Sequence, residues 1–405
     1  MVSGAKKGEV TAYLSLIFIL FISFVGGIME SASVQMAKNY RRADMNRAME
    51  SVFAEYQKEL LDEYEIFALE ATYETGTYGE RNIKKRLEFY GAEGMEQSVK
   101  RLSLLTDHGG QPFLEQVAVY MEEKYGMDKV KDLTGKSADW KTQEEEAGKY
   151  EENEKKQQGE LDQLLEENEG ELPEKDNPIA HVAGLKKSSL PELVMPKGKE
   201  VSDKQMNLAD TLEYRGKREG YGDFSDVSEG IGKLDHLLLG EYLMEHFPDA
   251  TKAGQKGDLL DYQLEYFLEG KGSDRENLEA VVKKLLMLRF VPNYIYLQGN
   301  AAKKAEAKAM ALSLCAVLAV PAVTEAAAQV ILLAWAYGES LVDIRSLLGG
   351  GKIPLVKSDE NWQLSLAGLL KLGEDGDLND GKDCKEGLGY RDYCLLYTSP
   401  SPRDA

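Results

Sequence analysis

Cysteine, histidine and tryptophan are scarce in this chain of 405 residues, with three, four and three of each. So few cysteines exclude a disulfide scaffold, and the folded part has to be held by its core. Cys315 sits in an apolar helical run and reads as core; Cys384 and Cys394 follow near the C-terminus. The histidines, His108, His181, His236 and His246, are scattered without metal-ligand spacing. HExxH, CxxC and GxSxG are absent, which removes the zinc-protease, dithiol and α/β-hydrolase motifs. Gly351-Lys352 lacks the upstream Gly and the following Ser or Thr of a phosphate loop. Basic residues are outnumbered, leaving a net charge of −21, so nucleic acid is not an expected partner.

What is present begins with Val10 to Met29, a stretch without one charged side chain. As a helix rising about 1.5 Å per residue it spans roughly 30 Å, the thickness of a bilayer's hydrocarbon core. Lys6 and Lys7 precede it and Ser31-Ala32-Ser33 resembles a signal-peptidase site, so anchor and cleaved signal are both open. The length of the run favours the anchor. Lys38, Arg41, Arg42 and Arg47 on the far side leave the charge rule for orientation ambiguous. The short N-terminal tail favours a single-pass protein of the cell membrane with its large part extracytoplasmic. Gly27 and Ser31 form a small-xxx-small pair of the kind that packs helices, or are simply small residues near a helix end.

Past Met29 no Pro or Gly occurs until Gly76. Met45, Met49, Val52, Tyr56, Leu60, Tyr64 and Phe67 recur at spacings of three and four, which predicts that the span continues as a long amphipathic helix. Met95 to Leu105 and Asp261 to Leu268 alternate polar and apolar and read as strands. Phe113 to Tyr125, Leu234 to His246 and Asp274 to Arg289 read as helices, with Ser273 or Asp274 starting the last. The expected fold is therefore α+β and α-rich: one transmembrane helix running into an amphipathic helix, with a globular head containing a small sheet.

The expected organisation is a cytoplasmic tail over 1–9, the span over 10–29, and a first head segment over 30–140. An acidic linker or insertion follows over 141–191, and a second head segment over 192–393. The acidic stretch is poor in aromatics and interrupted by Pro173, Pro178 and Pro191, with a leading half that also suits a solvated helix. Ala311 to Tyr337 is a second apolar stretch. Glu325 and Gln329 inside it, and Pro321 dividing it, favour a buried helical hairpin over a second span. Gly349-Gly350-Gly351 should end the helix carrying Leu341 and Ile344.

For chemistry the sequence offers little. Asp375, Asp377, Asn379, Asp383 and Glu386 fall at positions 1, 3, 5, 9 and 12 of a calcium-type loop. The sixth position, where a sharp turn wants Gly, is Asp380, so a flexible polar loop explains the pattern as well. Glu325 and Glu339 lie near one helix face and would matter only if they converged in a cleft. No catalytic residue and no cofactor is expected.

The anchor, YRRADMNRAMESVFAEY, LEYFLEGKGSDRENLEAVVKKLLMLRF and ILLAWAYGESLVDIRSLLGGGKIPLVK together resemble an uncharacterised family of membrane-anchored proteins of anaerobic Gram-positive bacteria. That family is distantly similar to the minor pilin-like proteins of tight-adherence (Tad) pilus loci. The resemblance implies a non-enzymatic structural component of a pilus, secretion or envelope assembly, with the bilayer and other pilin-like subunits or assembly proteins as partners. The departure is at the processing site: Glu9 directly follows Gly8, and Tyr13 stands where a pilin precursor carries Glu. The alternative is an anchored module that binds a surface ligand or cell wall, using Trp335 or Trp362. The last residues, CLLYTSPSPRDA from Cys394, resemble a translated sequencing adapter rather than part of the natural chain.

Overall fold

The computed structural model describes the chain except residues 1–4, 71, 74–78, 169, 208–217, 224–232, 253, 255–256, 317, 319, 375–376, 378 and 399–405; for 5–7, 126–152, 233–237 and 396–398 it describes backbone only. The chain divides into two compact units, Met1–Phe113 with Glu219–Ser228, and Leu114–Arg218 with Glu229–Ala405.

In the first unit, helix α1 runs unbroken over Ala5–Phe53. Its apolar window is wholly exposed, and it is long and apolar enough to cross a membrane. Only its last turns find a core: Ala48 and Val52 are buried, as are Ile66 and Ala92. The amphipathic continuation is thus real but shorter than the apolar spacing suggests. The chain leaves the helix after Phe53, and Met49 is 40% exposed. Tyr56 and Phe67 lie beyond it and fold back, with Phe67 ring centroids 6.4 Å from Phe53 and 5.5 Å from Tyr56. Two short helices follow, α2 over Lys58–Tyr64 and α3 over Glu80–Leu87. Arg86 pairs with Glu55, which also accepts from the Tyr90 hydroxyl at 2.7 Å. Gly91 has φ +113, and a Cβ there would stand 3.3 Å from Arg47 Nη2, so glycine suits both the backbone and the close approach.

The expected sheet is absent: among the described residues there is no strand, only isolated bridges. Met95 to Leu105 alternates, but its one pairing is a two-bond bridge between Leu102 and Tyr221. Alternation yields a sheet only where a partner ladder exists. Asp261 to Leu268 is instead mostly helix α8, Gln263–Glu269, closed by Gly270 at φ +64. The Asp274 carboxylate accepts from the N–H groups of Asp261 (2.9 Å) and Tyr262 (3.0 Å), so the chain turns into a helix where alternation suggested a strand. Among the described residues the fold class is therefore helical, not α+β.

The second unit is built on three helices: α9 (Asp274–Gly299), α10 (Ala301–Leu314) and α11 (Pro321–Leu348). Ser273 caps α9 as expected, accepting from Glu276 N–H at 3.3 Å while its hydroxyl donates to the Glu276 carboxylate at 3.0 Å. Asn300 closes α9 and caps α10, accepting from Lys303 N–H at 3.1 Å. Pro321 starts α11, whose apolar window is 94% buried, so the second apolar stretch is a core helix of a hairpin. α11 ends at Gly349. Around this trio lie α4 (Gln111–Glu167), α5 (Pro178–Leu185), α6 (Leu190–Val194), α7 (Lys233–His246), α12 (Leu366–Leu369) and α13 (Tyr390–Thr398). The acidic stretch is helical to Glu167 and then contributes Val182, Leu185 and Pro191 to the core.

Candidate functional site

Four charged side chains are buried where α9 and α11 cross: Arg289, Glu339, Asp343 and Lys357, each pairing with both side chains at 0% exposure. Arg289 and Asn293 are four apart on α9, and Glu339 and Asp343 four apart on α11, so each pair shares a helix face. Lys357 comes from the segment after Gly351.

The hydrogen bonding is dense. Lys357 Nζ donates to Glu339 Oε1 and Asp343 Oδ1, both at 2.6 Å, and to the Asn361 carbonyl at 3.1 Å. Arg289 Nε donates to Asp343 Oδ2 at 3.0 Å. Its Nη1 serves the carbonyls of Pro354 and Leu355 and the Tyr393 hydroxyl, at 3.0, 3.1 and 3.0 Å. Asn293 Nδ2 donates to Asp343 Oδ2 (3.0 Å) and Ser340 Oγ (2.9 Å). Glu339 also accepts from the N–H groups of Gln363 (3.0 Å) and Leu364 (2.7 Å). Burial raises the Glu339 carboxyl above its ordinary pKa, with Asp343 adding to the rise and Lys357 opposing it. Two cations and two carboxylates balance, so desolvation is met by partners inside the site.

Beside the network lies a groove of about 400 Å³, lined by residues that include Pro292, Ile295, Tyr296, Asn300, Val356 and Lys357. Pro292 stands inside α9 and removes one helical N–H, a local irregularity on the groove wall. Tyr296 stacks on Trp362 at 5.0 Å and hydrogen-bonds Asp359. Burial, then Asp359, pushes the Tyr296 phenol up to about 12. Trp335 is fully buried; it and Trp362 both donate to the Leu364 carbonyl, at 2.8 and 2.6 Å, and Lys303 sits 4.6 Å above the Trp335 ring.

The residues of the calcium-type loop are used otherwise. Asp375 lies outside the described residues. Asp377 is buried against Arg345, Nη1 to Oδ2 at 2.8 Å, and Arg345 also takes the Asn379 carbonyl at 2.7 Å. Against the upward push of burial, the N–H groups of Gly373 and Asn379 and the guanidinium hold Asp377 below the usual carboxylate range. Asp383 accepts from Lys352 N–H at 2.8 Å, and Glu386 is exposed. Among the described residues no group of three or more His, Cys, Asp or Glu is arranged to hold a metal ion. Glu325 and Glu339 do not converge: Glu325 is exposed and pairs with Lys308 at 2.8 Å, while Glu339 is fully buried.

A further buried carboxylate, away from the α9–α11 crossing, carries no motif in the sequence. Glu265 on α8 is 0% exposed. Its Oε1 accepts from Ala250 N–H (2.9 Å) and the Tyr390 hydroxyl (2.6 Å), while Oε2 has no hydrogen-bond partner. Burial raises its pKa to about 7. The signals that would have found both sites are polar residues at i and i+4 on apolar helices, and an acid within a run as apolar as YQLEYFLE.

These features define a helical domain stabilised by internal ion networks and joined in sequence to an apolar helix of membrane-spanning length. Residues 168–402 match the family of unknown function DUF5702, and the chain belongs to that family. The match takes in both buried sites and reaches past Cys394 and Leu395, which are buried in the second unit. No curated protein and no solved structure matches the chain.

Proposed function

We propose that the chain is a non-enzymatic, membrane-anchored structural component of a pilus, secretion or cell-envelope assembly, pilin-like in plan. On this reading α1 crosses the cell membrane once and the second unit is extracytoplasmic. The observation that carries it is α1: a continuous helix, apolar and exposed from Val10 to Met29, whose last turns add Ala48 and Val52 to the core of the first unit. The balanced charges at the α9–α11 crossing support it, because groups engaged on all sides stiffen a domain. The assembly is part of the proposal and follows from the expected resemblance to minor pilin-like proteins of Tad loci. The test is native purification in mild detergent from the source cells, with protease added to intact cells. A high-mass assembly and a protease-trimmed head are expected. A monomer under all conditions, or a protected head, overturns the reading.

A second reading, a surface ligand- or wall-binding module, is favoured by one observation, the groove beside the Tyr296–Trp362 stack. Saturable binding of wall fragments that is lost in Tyr296→Ala would replace the first reading with this one. The adapter likeness of Cys394–Ala405 is tested separately, by long-read sequencing across the Tyr393 codon. A frame continuing into other residues supports it, and a genome encoding CLLYTSPSPRDA ends it. The burial of Cys394 and Leu395 weighs against it.

A further inference from the structure

We propose that Lys357 and Asp343 become joined after folding by an intramolecular isopeptide bond, with Glu339 as proton carrier and Arg289 and Asn293 as the oxyanion site. This does not rest on the pilin-like reading, since it concerns only groups inside the second unit.

The geometry has the parts of an acyl transfer. Lys357 Nζ lies 2.6 Å from Asp343 Oδ1, and a nitrogen at hydrogen-bond distance from a carboxyl is within the reach of near-attack geometry, about 3–3.5 Å between reacting atoms. The other oxygen, Oδ2, receives Arg289 Nε and Asn293 Nδ2, each at 3.0 Å. Two preorganised donors on one oxygen, one of them cationic, are what a tetrahedral oxyanion needs. Glu339 Oε1 stands 2.6 Å from the same nitrogen, one helical turn from Asp343. Burial raises the pKa of the Glu339 carboxyl, which suits a group that must take up a proton and give it back.

The step balances. The Lys357 ammonium passes one proton through Glu339 to Asp343 Oδ1, leaving a neutral amine and a neutral carboxylic acid. The nitrogen lone pair attacks Cγ, the Nζ–Cγ bond forms, and the negative charge moves to Oδ2. Glu339 then takes a second proton from nitrogen and delivers it to the Oδ1 hydroxyl. The Cγ–Oδ1 bond breaks, water leaves, and Glu339 returns to its starting state. Nothing is oxidised or reduced, and no co-reactant is needed.

Two physical effects drive condensation here although water opposes it. Hydration of the separated ammonium and carboxylate favours the open form in solution, and at 0% exposure that hydration is gone. The amide also removes one positive and one negative charge from the interior, leaving Arg289 with Glu339 as a matched pair. The groove lined by Val356 and Lys357 gives the departing water a way out. The product staples the segment after Gly351 to α11.

The test is tryptic mapping by mass spectrometry of the purified full-length chain, denatured before digestion. The expected result is a branched peptide joining the Asp343 peptide to Lys357, lighter by one water than its two parts, with cleavage after Lys357 blocked. Unmodified Lys357 and Asp343 peptides in the wild-type chain overturn the proposal, as does a branch at Glu339. The wild-type measurement needs no variant to fold. A folded Glu339→Gln chain, checked by circular dichroism, is expected to show the unlinked peptides; full linkage in it overturns the role given to Glu339.

Discussion

Glu339 and Glu265 are both fully buried in the second unit, yet they are held differently. Glu339 has a lysine and two backbone N–H groups, and its neighbour Asp343 has an arginine. Glu265 has a phenol and one backbone N–H, no cation, and one bare oxygen. Asp249 raises its pKa further and is itself engaged by Arg391. Tyr262, Tyr390 and Cys394 are the other titratable groups facing this carboxyl, and the phenols and thiol are pushed up by burial. One acid is therefore buried with a cation and two N–H donors set against the cost of burial, and the other, with no cation, is buried most easily with its proton on. The lesson is that depth alone does not set the cost of a buried carboxyl; its partners do.

The largest effect should come from unbalancing the first site. Arg289→Met takes the buried donor from Asp343 Oδ2, the Pro354 and Leu355 carbonyls and the Tyr393 hydroxyl, and urea denaturation should show a loss of about 3–5 kcal/mol. The second prediction has the opposite sign. Below its ordinary pKa of 4.5, Glu265 is protonated folded and unfolded. As pH rises towards about 7 the unfolded chain loses the proton first, so stability falls through that window and then levels. Glu265→Gln should therefore stabilise the chain by roughly 3 kcal/mol at pH 8, do nothing at pH 4, and flatten the curve between. Burial raises Glu339 as well, but Glu339→Gln takes a carboxylate partner from the buried Lys357 and should therefore destabilise at pH 8; a stabilisation there would break the contrast.

Gly338→Ala sharpens it from the packing side. A Cβ at Gly338 would meet Leu369 Cδ1 at 2.3 Å and Leu364 Cδ2 at 2.8 Å, and Leu364 N–H donates to Glu339. Overpacking of this kind costs about 1–3 kcal/mol, read as a lower Tm. The smallest effect belongs to the exposed pair Lys308–Glu325, more than half exposed on both sides. Lys308→Ala should change stability by less than about 1 kcal/mol, and less still in high salt.

Much of the helical frame was legible because its signals are local. The uncharged run, the Ser273 cap, Pro321 between two apolar helices and the Gly349 stop each act within a turn or two of their own position. The sheet was misread because alternation is a local pattern with a distant requirement: Met95 to Leu105 finds one bridge partner, and Asp261 to Leu268 is turned by a carboxylate thirteen residues away, Asp274. The buried site was invisible for a related reason. Arg289, Glu339, Asp343 and Lys357 are ordinary charged residues until α9 and α11 cross. The calcium-type spacing of Asp377, Asn379, Asp383 and Glu386 was legible, but Arg345, at the end of α11, takes Asp377 and the Asn379 carbonyl.

The unbroken course of α1 sets a stand-off distance. Between Met29, where the apolar run ends, and Arg41, which donates to the Glu93 carbonyl at 3.3 Å, the helix is exposed and carries no Pro or Gly. At 1.5 Å per residue that is a rigid spacer of roughly 20 Å. A bilayer holding Val10 to Met29 would keep the folded part of the first unit clear of the lipid headgroups, and any tilt of the span would swing that part as a lever.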